Sequence, residues 1–516
     1  MILEQRPSSG NDTAFAGRAT IDQILRRLAA TKGDQLALAD APDRSVFTDG
    51  PPRRLTWAEL NAETEKFARC LAGFGLQGDS VVVLQLPNTV ESIIAFLSII
   101  RAGMIAAPVP LAWRRRELSW AMQRTAAAAA VTVVRSGPVA HAGVVSRAAA
   151  ENFDMRFVCA FGEDVPDGVL ALHEAMEDDS WPELTPDARD GNPGDHIAVV
   201  TFDATSAGFV PVPRSHNTLI VAGMAHLVEA RIEGEDAIVT TLPASSLAGL
   251  ATGVMTALLS GAGLYLHQTF NGQALSGAIA ATGAAHVVLP GLVADALGSS
   301  RLPHPPLRGI TAVRRDPCEV PGTTLAGLSR TEFISFGEIG FLSRRRDHPI
   351  GTLLAGRIPV SKAAPNGMLL AETRLREDGV LEISGPIAPD GEFPGRKPED
   401  AALMGETEGF YPMGWSAQPR NECFAITPGR RGVTSIGGIS LPTRSTLEAI
   451  REALDGAADP KFIADGMFGS RLWAGKHAVR LREAGFTAAL TGLGDDAPVQ
   501  HGKAETTKSP PAAAVA

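Results

Sequence analysis

Residues 197–217 read IAVVTFDATSAGFVPVPRSHN, and this stretch carries the clearest indication of the fold. Its first residues, Ile197 to Val200, form an apolar run that fits a buried strand. Small, hydroxylated and proline residues follow, and from Asn217 an apolar stretch suited to a helix begins. The pattern predicts a strand, a loop and a helix. Such a loop can direct backbone N–H groups and hydroxyls at a phosphate, near the positive end of the helix dipole.

The loop is nevertheless poorly equipped to hold a phosphate. It contains one glycine, Gly208, and no lysine, and Pro211 and Pro213 restrict its backbone. Few N–H groups are therefore free to converge on an anion. On these residues alone, phosphate binding is weakly indicated.

The stretch resembles the phosphate-binding loop of the AMP-forming acyl-CoA synthetases, which belong to the ANL superfamily of adenylating enzymes. That loop reads close to T-S-G-T-T-G-x-P-K, often followed by L-V-P-x-S-H. In this chain Val212, Pro213, Ser215 and His216 match the tail in order, and Thr205 and Ser206 match the hydroxyl pair. Two glycines of the family loop are replaced by Ala204 and Ala207, and its lysine is replaced by Val210. The resemblance implies nucleotide contacts at Thr205, Ser206 and Gly208.

Upstream, helical and strand patterns alternate. Thr56 to Glu59 form a capping box, and apolar residues then recur at spacings of three and four up to Gly73. Such alternation predicts a parallel sheet covered on both faces, and it resembles the opening of an acyl-CoA synthetase nearly element for element. The further predicted elements are strands 81–86, 105–110 and 130–134 and helices 91–102 and 114–127.

Downstream, residues 136–195 read as a connecting region with some strand content. Residues 242–249, LPASSLAG, resemble the family's L-P-L-F-H-x-x-G element, so the resemblance implies substrate contacts at Ser245, Ser246 and Gly249. Alternation then resumes, and residues 351–386 have the turn-rich, short-strand pattern of a small β-subdomain. The elements predicted here are helices 250–260, 274–282 and 446–454 and strands 263–267 and 286–289.

The predicted fold is therefore α/β: a large N-terminal domain of layered α/β subdomains with a small β-subdomain, followed by a small α+β C-terminal domain. The length of 516 residues favours more than one domain. We place an adenylation-like domain at 1–427, a small domain at 428–503 and a disordered tail, rich in alanine and proline, at 504–516.

Composition narrows the function classes. The net charge of -10 argues against nucleic-acid or anionic-membrane binding, because those surfaces are basic. Four scattered cysteines without a Cys-x-x-Cys pair indicate neither a disulfide framework nor a zinc site. Neither a signal-peptide pattern nor a membrane-spanning apolar run is present, so we expect a cytoplasmic protein.

Two of the family's nucleotide-binding motifs are altered in the middle of the chain. Residues 312–317 take the place of the adenine-binding S-G-G-A-P. Arg314 and Arg315 there are more simply a surface pair on a loop than a repurposed anion site. Residues 336–340 take the place of Y-G-x-T-E. The motif glycine is kept as Gly337, whereas Gly340 replaces the glutamate whose carboxylate binds Mg²⁺ in the family. Glu338, two residues earlier, is the candidate to replace that carboxylate as a metal ligand or catalytic group.

Two more motifs lie towards the C-terminus. Trp415 replaces the family's ribose-binding aspartate and cannot accept a hydrogen bond. Arg430 matches the hinge arginine and is a candidate nucleotide contact. Lys503 matches the terminal lysine that closes on the acyl carboxylate, although a plain tail lysine is the simpler interpretation.

Two hypotheses follow. In the first, the chain keeps the synthetase fold with weak or no adenylation activity and binds an acyl group, CoA or a protein partner, with a homodimer also open. In the second, it is a divergent AMP-forming carboxylic acid–CoA ligase that uses ATP, Mg²⁺ and CoA through the remaining residues. A third option, an α/β scaffold for an unrelated reaction, has no Gly-x-Ser-x-Gly, zinc or Walker signature to support it.

Overall fold

The computed structural model describes residues 17–178, 180–184, 190–268, 272–282, 285–299, 307–318, 328–345, 352–360, 368–393, 405, 407–436, 438–465, 469–473, 477–487 and 490. The predicted capping box is present: Thr56 Oγ1 accepts the Glu59 N–H at 3.3 Å, and Glu59 Oε2 accepts the Thr56 N–H at 2.8 Å. The first elements are α1 (Ile21–Lys32), β1 (Leu36–Asp40), α2 (Arg44–Phe47), β2 (Arg54–Thr56), α3 (Trp57–Gly73), β3 (Val81–Gln85), α4 (Val90–Arg101), β4 (Ile105–Pro108), α5 (Arg115–Thr125), β5 (Ala129–Val133), α6 (His141–Ala149), β6 (Phe157–Phe161), β7 (Leu170–Ala171) and α7 (Leu172–Glu177).

The middle of the chain continues the alternation of strands and helices. A π-helical segment, Leu250–Met255, joins two short α-helical segments into one buried helix. The elements are β8 (Ile197–Thr205), β9 (Gly208–Ser215), α8 (His216–Ala230), β10 (Ala237–Thr240), α9 (Leu247–Gly249), α10 (Thr256–Ser260), β11 (Gly263–Leu266), α11 (Gly272–Thr282), β12 (Ala285–Pro290), α12 (Gly291–Ser299), β13 (Leu307–Arg314), β14 (Ser329–Phe336) and β15 (Gly340–Arg345).

These strands build two large sheets within the described residues. One has the order β7-β6-β5-β3-β4-β8-β9, and the other has the order β15-β14-β13-β12-β10-β11-β1-β2. Both are mainly parallel, with antiparallel pairs at their ends: β8 with β9, β14 with β15, and β1 with β2. The layered α/β architecture predicted from the alternation is confirmed, and β9 and β15 are edge strands.

A smaller antiparallel sheet follows, as expected for the β-subdomain. Its order is β16-β21-β20-β19-β18-β17, with strands β16 (Thr352–Leu354), β17 (Gly356–Pro359), β18 (Leu369–Leu375), β19 (Val380–Ser384), β20 (Tyr411–Arg420) and β21 (Cys423–Arg430). Strand β21 runs through Thr427 to Arg430, so the predicted boundary at 427/428 falls inside a strand.

The last described elements are two hairpins and two helices with a separate apolar core. That core includes Ile436, Leu441, Ile450, Leu481 and Phe486. The elements are β22 (Val433–Ile436), β23 (Ile439–Pro442), α13 (Thr443–Ala453), β24 (Lys461–Asp465), β25 (Gly469–Trp473) and α14 (Ala478–Glu483). We refer to residues 433–490 as the C-terminal unit.

Two predictions for the N-terminal half were wrong. Residues 136–195 contain the expected strand content in β6, but they also form the helices α6 and α7 and so are not mainly a connection. Strand β6 and helix α6 are short, and their regularity comes from packing beside β5. The predicted loop after Val200 is a β-hairpin, which is described below.

Along the described residues, no helix is long and apolar enough to cross a membrane.

Candidate functional site

A cavity of about 590 Å³ lies where four β-elements of the fold meet. The hairpin β8–β9 contributes Asp203, and the turn between β14 and β15 contributes Glu338. The β-subdomain contributes Trp415 and Arg430, and the C-terminal unit closes the cavity with residues that include Ser440. Residues far apart in the sequence are thereby brought to one place.

The stretch that was predicted to be a phosphate-binding loop is a tight hairpin. Strands β8 and β9 pair from Ile197 opposite Ser215 to Thr205 opposite Gly208, so only Ser206 and Ala207 form the turn. Thr205 Oγ1 accepts the Ala207 N–H at 3.2 Å and donates to the Gly208 carbonyl at 2.9 Å. The two prolines are tolerated because β9 is an edge strand. Thr205, Ser206 and Gly208 thus lie at the hairpin tip and not on the wall of the cavity.

Asp203 and Arg430 form a two-pronged ion pair at the cavity wall. Arg430 Nη1 donates to Asp203 Oδ1 at 2.7 Å and Nη2 donates to Oδ2 at 2.5 Å. Arg430 Nε donates to the Met413 carbonyl at 3.0 Å. The side chain of Arg430 is only 6% exposed and that of Asp203 only 2%. Each guanidinium nitrogen therefore already donates to an internal acceptor.

Two glycines and a tryptophan shape the surroundings of this pair. A Cβ at Gly337 would lie 2.5 Å from both Arg430 Nη1 and Asp203 Oδ1, and a Cβ at Gly414 would lie 2.7 Å from Arg430 Nε. Both glycines have positive φ, 61° and 85°. The Trp415 ring lies 5.0 Å from the Arg430 guanidinium carbon, in a cation–π contact. The ion pair is consequently enclosed by backbone on one side and by an aromatic ring on another.

Glu338 is a buried carboxyl group in the turn that joins β14 to β15. Its Oε2 accepts the Leu247 N–H at 2.7 Å, and the fully buried Arg214 donates to its backbone carbonyl. Burial raises the pKa of Glu338 to about 7; the Leu247 N–H opposes this shift, and the negative charge of Asp203 adds to it. Glu338 lies in a turn, so the predicted strand-like offset from Gly340 is wrong. The side chain can hold or release a proton near neutral pH.

The two consecutive arginines Arg314 and Arg315 have different surroundings. The predicted surface pair is wrong, because the Arg314 side chain at the end of β13 is fully buried and pairs with Glu332 and Asp295. Arg315 does line the cavity, and its positive charge lowers the pKa of Glu338. Asp316, also on the wall, accepts the Gly429 N–H at 3.3 Å.

The residues predicted to contact substrate separate into two groups. Ser245 and Ser246 line the cavity, whereas Gly249 lies inside the helix that follows and is buried. Ser246 Oγ accepts the Gly249 N–H at 3.2 Å and thereby caps α9. A Cβ at Gly249 would lie 1.9 Å from the Pro243 carbonyl oxygen, so the glycine permits close backbone packing.

Of the predicted site residues, the fold brings Ser245, Ser246, Gly337, Glu338 and Arg430 together. Lys503 lies outside the described residues. Asp203 was missed, although an acidic residue inside a predicted anion-binding loop is an anomaly that could have revealed it. Among the described residues, no group of three or more His, Cys, Asp or Glu side chains could hold a metal ion.

Comparison with known proteins places the chain among adenylating proteins. The family model described as AMP-binding enzyme matches residues 34–328. Salicyl-AMP ligase / salicyl-S-ArCP synthetase of Mycobacterium tuberculosis is 28% identical over 260 residues, which cover 48% of this chain and 42% of that protein. Crotonobetaine/carnitine–CoA ligase of Citrobacter koseri is 22% identical over 51% of this chain and 50% of that protein. The chain thus spans about half the length of these curated relatives.

Solved structures match over nearly the whole chain. MbtA of Mycobacterium smegmatis, without ligand, has a TM-score of 0.64 at 20% identity, covering 92% of this chain and 90% of that one. ATP-bound MatB of Rhodopseudomonas palustris has a TM-score of 0.59 at 18% identity, covering 88% of each chain. At these identities the likeness establishes the fold.

Proposed function

Because this chain belongs to the AMP-binding enzyme family, we propose that it uses the family's fold to bind an acyl, CoA or protein partner, with weak or no adenylation activity. One observation carries the proposal. The Asp203 carboxylate lies in the hairpin that corresponds to the phosphate loop, and it holds both Nη atoms of Arg430. A negative charge fixed there repels a polyphosphate and occupies the cation that would otherwise attract it.

The other residues at the nucleotide positions fit Mg²⁺–ATP equally poorly. Val210, at the lysine position, is an apolar side chain with no exposed surface. Trp415, at the ribose position, has only an N–H donor to offer. Glu338 holds the Leu247 N–H inside a buried turn. The residues present do not fit the family's nucleotide.

The alternative, a divergent carboxylic acid–CoA ligase, is favoured by one feature of the cavity. Glu338, Arg315 and Arg430 all line the cavity, and the pKa of Glu338, about 7, suits proton transfer near neutral pH. Such an enzyme would have to open the Asp203–Arg430 pair to admit a triphosphate. Loss of one charge partner leaves the other uncompensated in a nearly buried place, which typically costs about 3 kcal/mol.

Titration of the 516-residue protein with Mg²⁺–ATP tests the proposal. A ligand at a hundred times its Kd stabilises a protein by about 2.7 kcal/mol, which a thermal-unfolding experiment detects readily. We expect no shift of the melting temperature at millimolar Mg²⁺–ATP, and no pyrophosphate release with a panel of carboxylic acids and CoA. A clear shift together with pyrophosphate release would establish the ligase alternative.

A further inference from the structure

Phe202 and Phe209 line one side of the cavity as an aromatic wall, and the nearly fully buried Trp113 packs behind them. Phe202 and Phe209 extend from neighbouring strands of the hairpin, and the ring of Trp113 lies 5.6 Å and 5.3 Å from theirs. Trp120 supports the same two rings at 5.9 Å and 5.5 Å. Two of these four ring pairs are edge-to-face and two are tilted, and the mutual packing fixes the rings.

The remaining wall of the cavity carries hydroxyl groups. Ser435 and Ser440 face each other across the hairpin β22–β23, with their Oγ atoms 3.3 Å apart, and Ser470 lies nearby on β25. Ser245 and Ser335 contribute further hydroxyls from the N-terminal domain. Hydroxyl groups can both donate and accept hydrogen bonds, so this side can bind an uncharged polar substituent.

The charged groups of the cavity leave no surplus positive charge. Asp203, Asp316 and Glu338 supply three carboxyl groups, and Arg315 and Arg430 supply two guanidinium groups. The net charge of these five side chains is therefore -1 when Glu338 is ionised and zero when it is protonated. Arg430 is paired with Asp203, and Arg315 lies close enough to Glu338 to act on its charge. An anionic ligand would lose hydration without gaining a free cation.

We propose that this cavity is a binding site for an uncharged, flat aromatic molecule with one polar substituent, such as an aryl amide, ester or thioester, in preference to the corresponding carboxylate. The ring would lie against Phe202 and Phe209, and the substituent would meet the serine hydroxyls and Glu338. The inference rests on the proposed function, because it takes the nucleotide to be excluded from the same cavity.

Matched probes separate an uncharged ligand from an anionic one. Isothermal calorimetry on the 516-residue protein at pH 8 would compare benzamide with benzoate, which differ mainly in charge. We expect the amide to bind at least about tenfold more tightly, since a carboxylate must be desolvated beside ionised Glu338. At pH 5.5, where Glu338 is protonated, the difference should narrow. Hexanamide, which lacks a ring, should bind more weakly than the aromatic amide.

A blocking variant and a surface variant check that the cavity is the site. Ser245→Phe places a ring in the cavity without removing a core side chain and should abolish binding of the amide. Phe153→Ala changes a side chain that is 98% exposed and should leave binding unchanged. Equal or tighter binding of the benzoate, no heat with either probe, or binding that survives Ser245→Phe would each overturn the inference.

A parallel Mg²⁺–ATP titration distinguishes the two proposals. If ATP fails to bind and the amide also fails, the aromatic-ligand inference falls while the proposed function stands. If ATP binds and competes with the amide, the proposed function falls, and the inference falls with it because the nucleotide is then not excluded from the cavity.

Discussion

Arg430 donates two hydrogen bonds to the carboxylate of Asp203, a residue 227 positions earlier in the sequence. The pair joins the hairpin at the edge of one large sheet to the last strand of the β-subdomain. It also places a carboxylate where the resemblance to the adenylating family predicts a phosphate. The stability of the fold and the proposed exclusion of a nucleotide therefore depend on the same contact.

Neutralising Asp203 should lower stability and make the Arg430 guanidinium available to anions. In Asp203→Asn a nearly buried cation loses its counter-charge, so we expect a loss of roughly 3 kcal/mol in urea unfolding. Pyrophosphate should then raise the melting temperature of the variant but not of the unmodified protein. The control is Asp378→Asn, which removes an exposed partner of Arg376 and should cost less than about 1 kcal/mol. Similar losses for both variants would contradict the prediction.

Replacing Glu338 by glutamine should remove a pH dependence of stability. Because burial raises its pKa to about 7, the folded protein binds this proton more tightly than the unfolded chain does. The stabilisation from protonation is complete below about pH 4 and is lost as the pH rises through about 7.

The difference in unfolding free energy between Glu338→Gln and the unmodified protein isolates this effect. Between pH 4.5 and pH 8, the unfolding free energy of Glu338→Gln should rise relative to that of the unmodified protein by on the order of 3 kcal/mol. Urea unfolding at intervals of half a pH unit measures it. A difference that is constant with pH would show that the carboxyl group titrates normally.

Gly337→Ala should destabilise the folded protein more than Gly356→Ala does, because the first substitution adds a steric clash to the backbone strain that both share. Gly337 and Gly356 both have positive φ, 61° and 76°, but only a Cβ at Gly337 would meet Arg430 and Asp203, at 2.5 Å. Gly356→Ala should cost about 1 kcal/mol from the left-handed backbone, and Gly337→Ala about 2 kcal/mol more from displacement of the ion pair. Chemical denaturation of both variants provides the comparison, and equal losses would exclude the steric contribution.

Glu117 should hold the end of the C-terminal unit against the N-terminal domain. Its Oε1 accepts the Thr487 N–H at 3.1 Å, and Thr487 Oγ1 donates to the Ala112 carbonyl at 2.9 Å, beside the cavity. Glu117→Ala should therefore speed amide hydrogen exchange at Thr487 by about tenfold or more. Glu233→Ala, which removes an exposed partner of Arg308, should leave that exchange unchanged. Unaltered exchange in Glu117→Ala would rule out this role.

Much of the fold was predictable because local patterns and packing agree. The capping box at Thr56, the apolar run of β3 and the turn-rich β-subdomain each specify their structure within a few residues. The hairpin β8–β9 was not predictable in the same way. Its small residues and prolines resemble a loop, and they become strands only because β9 is an edge strand beside β8.

The candidate site was predictable only in part. The motif positions of Glu338, Ser246 and Arg430 could be located by resemblance, and the fold does bring them to one cavity. The burial of Arg314 could not be foreseen, because its partners Asp295 and Glu332 come from other elements. Asp203 was passed over because its significance depends on a residue 227 positions away.

The sequence by itself determined the layered α/β architecture, since hydrophobic periodicity and capping residues act over a few neighbouring positions. It also determined which residue types occupy the positions where relatives bind a nucleotide. Only the tertiary structure decided that Asp203 neutralises Arg430 and that Glu338 is buried with a raised pKa. Charge pairing and desolvation depend on distances between elements that are remote along the chain, and those distances exist only once the sheets have packed together.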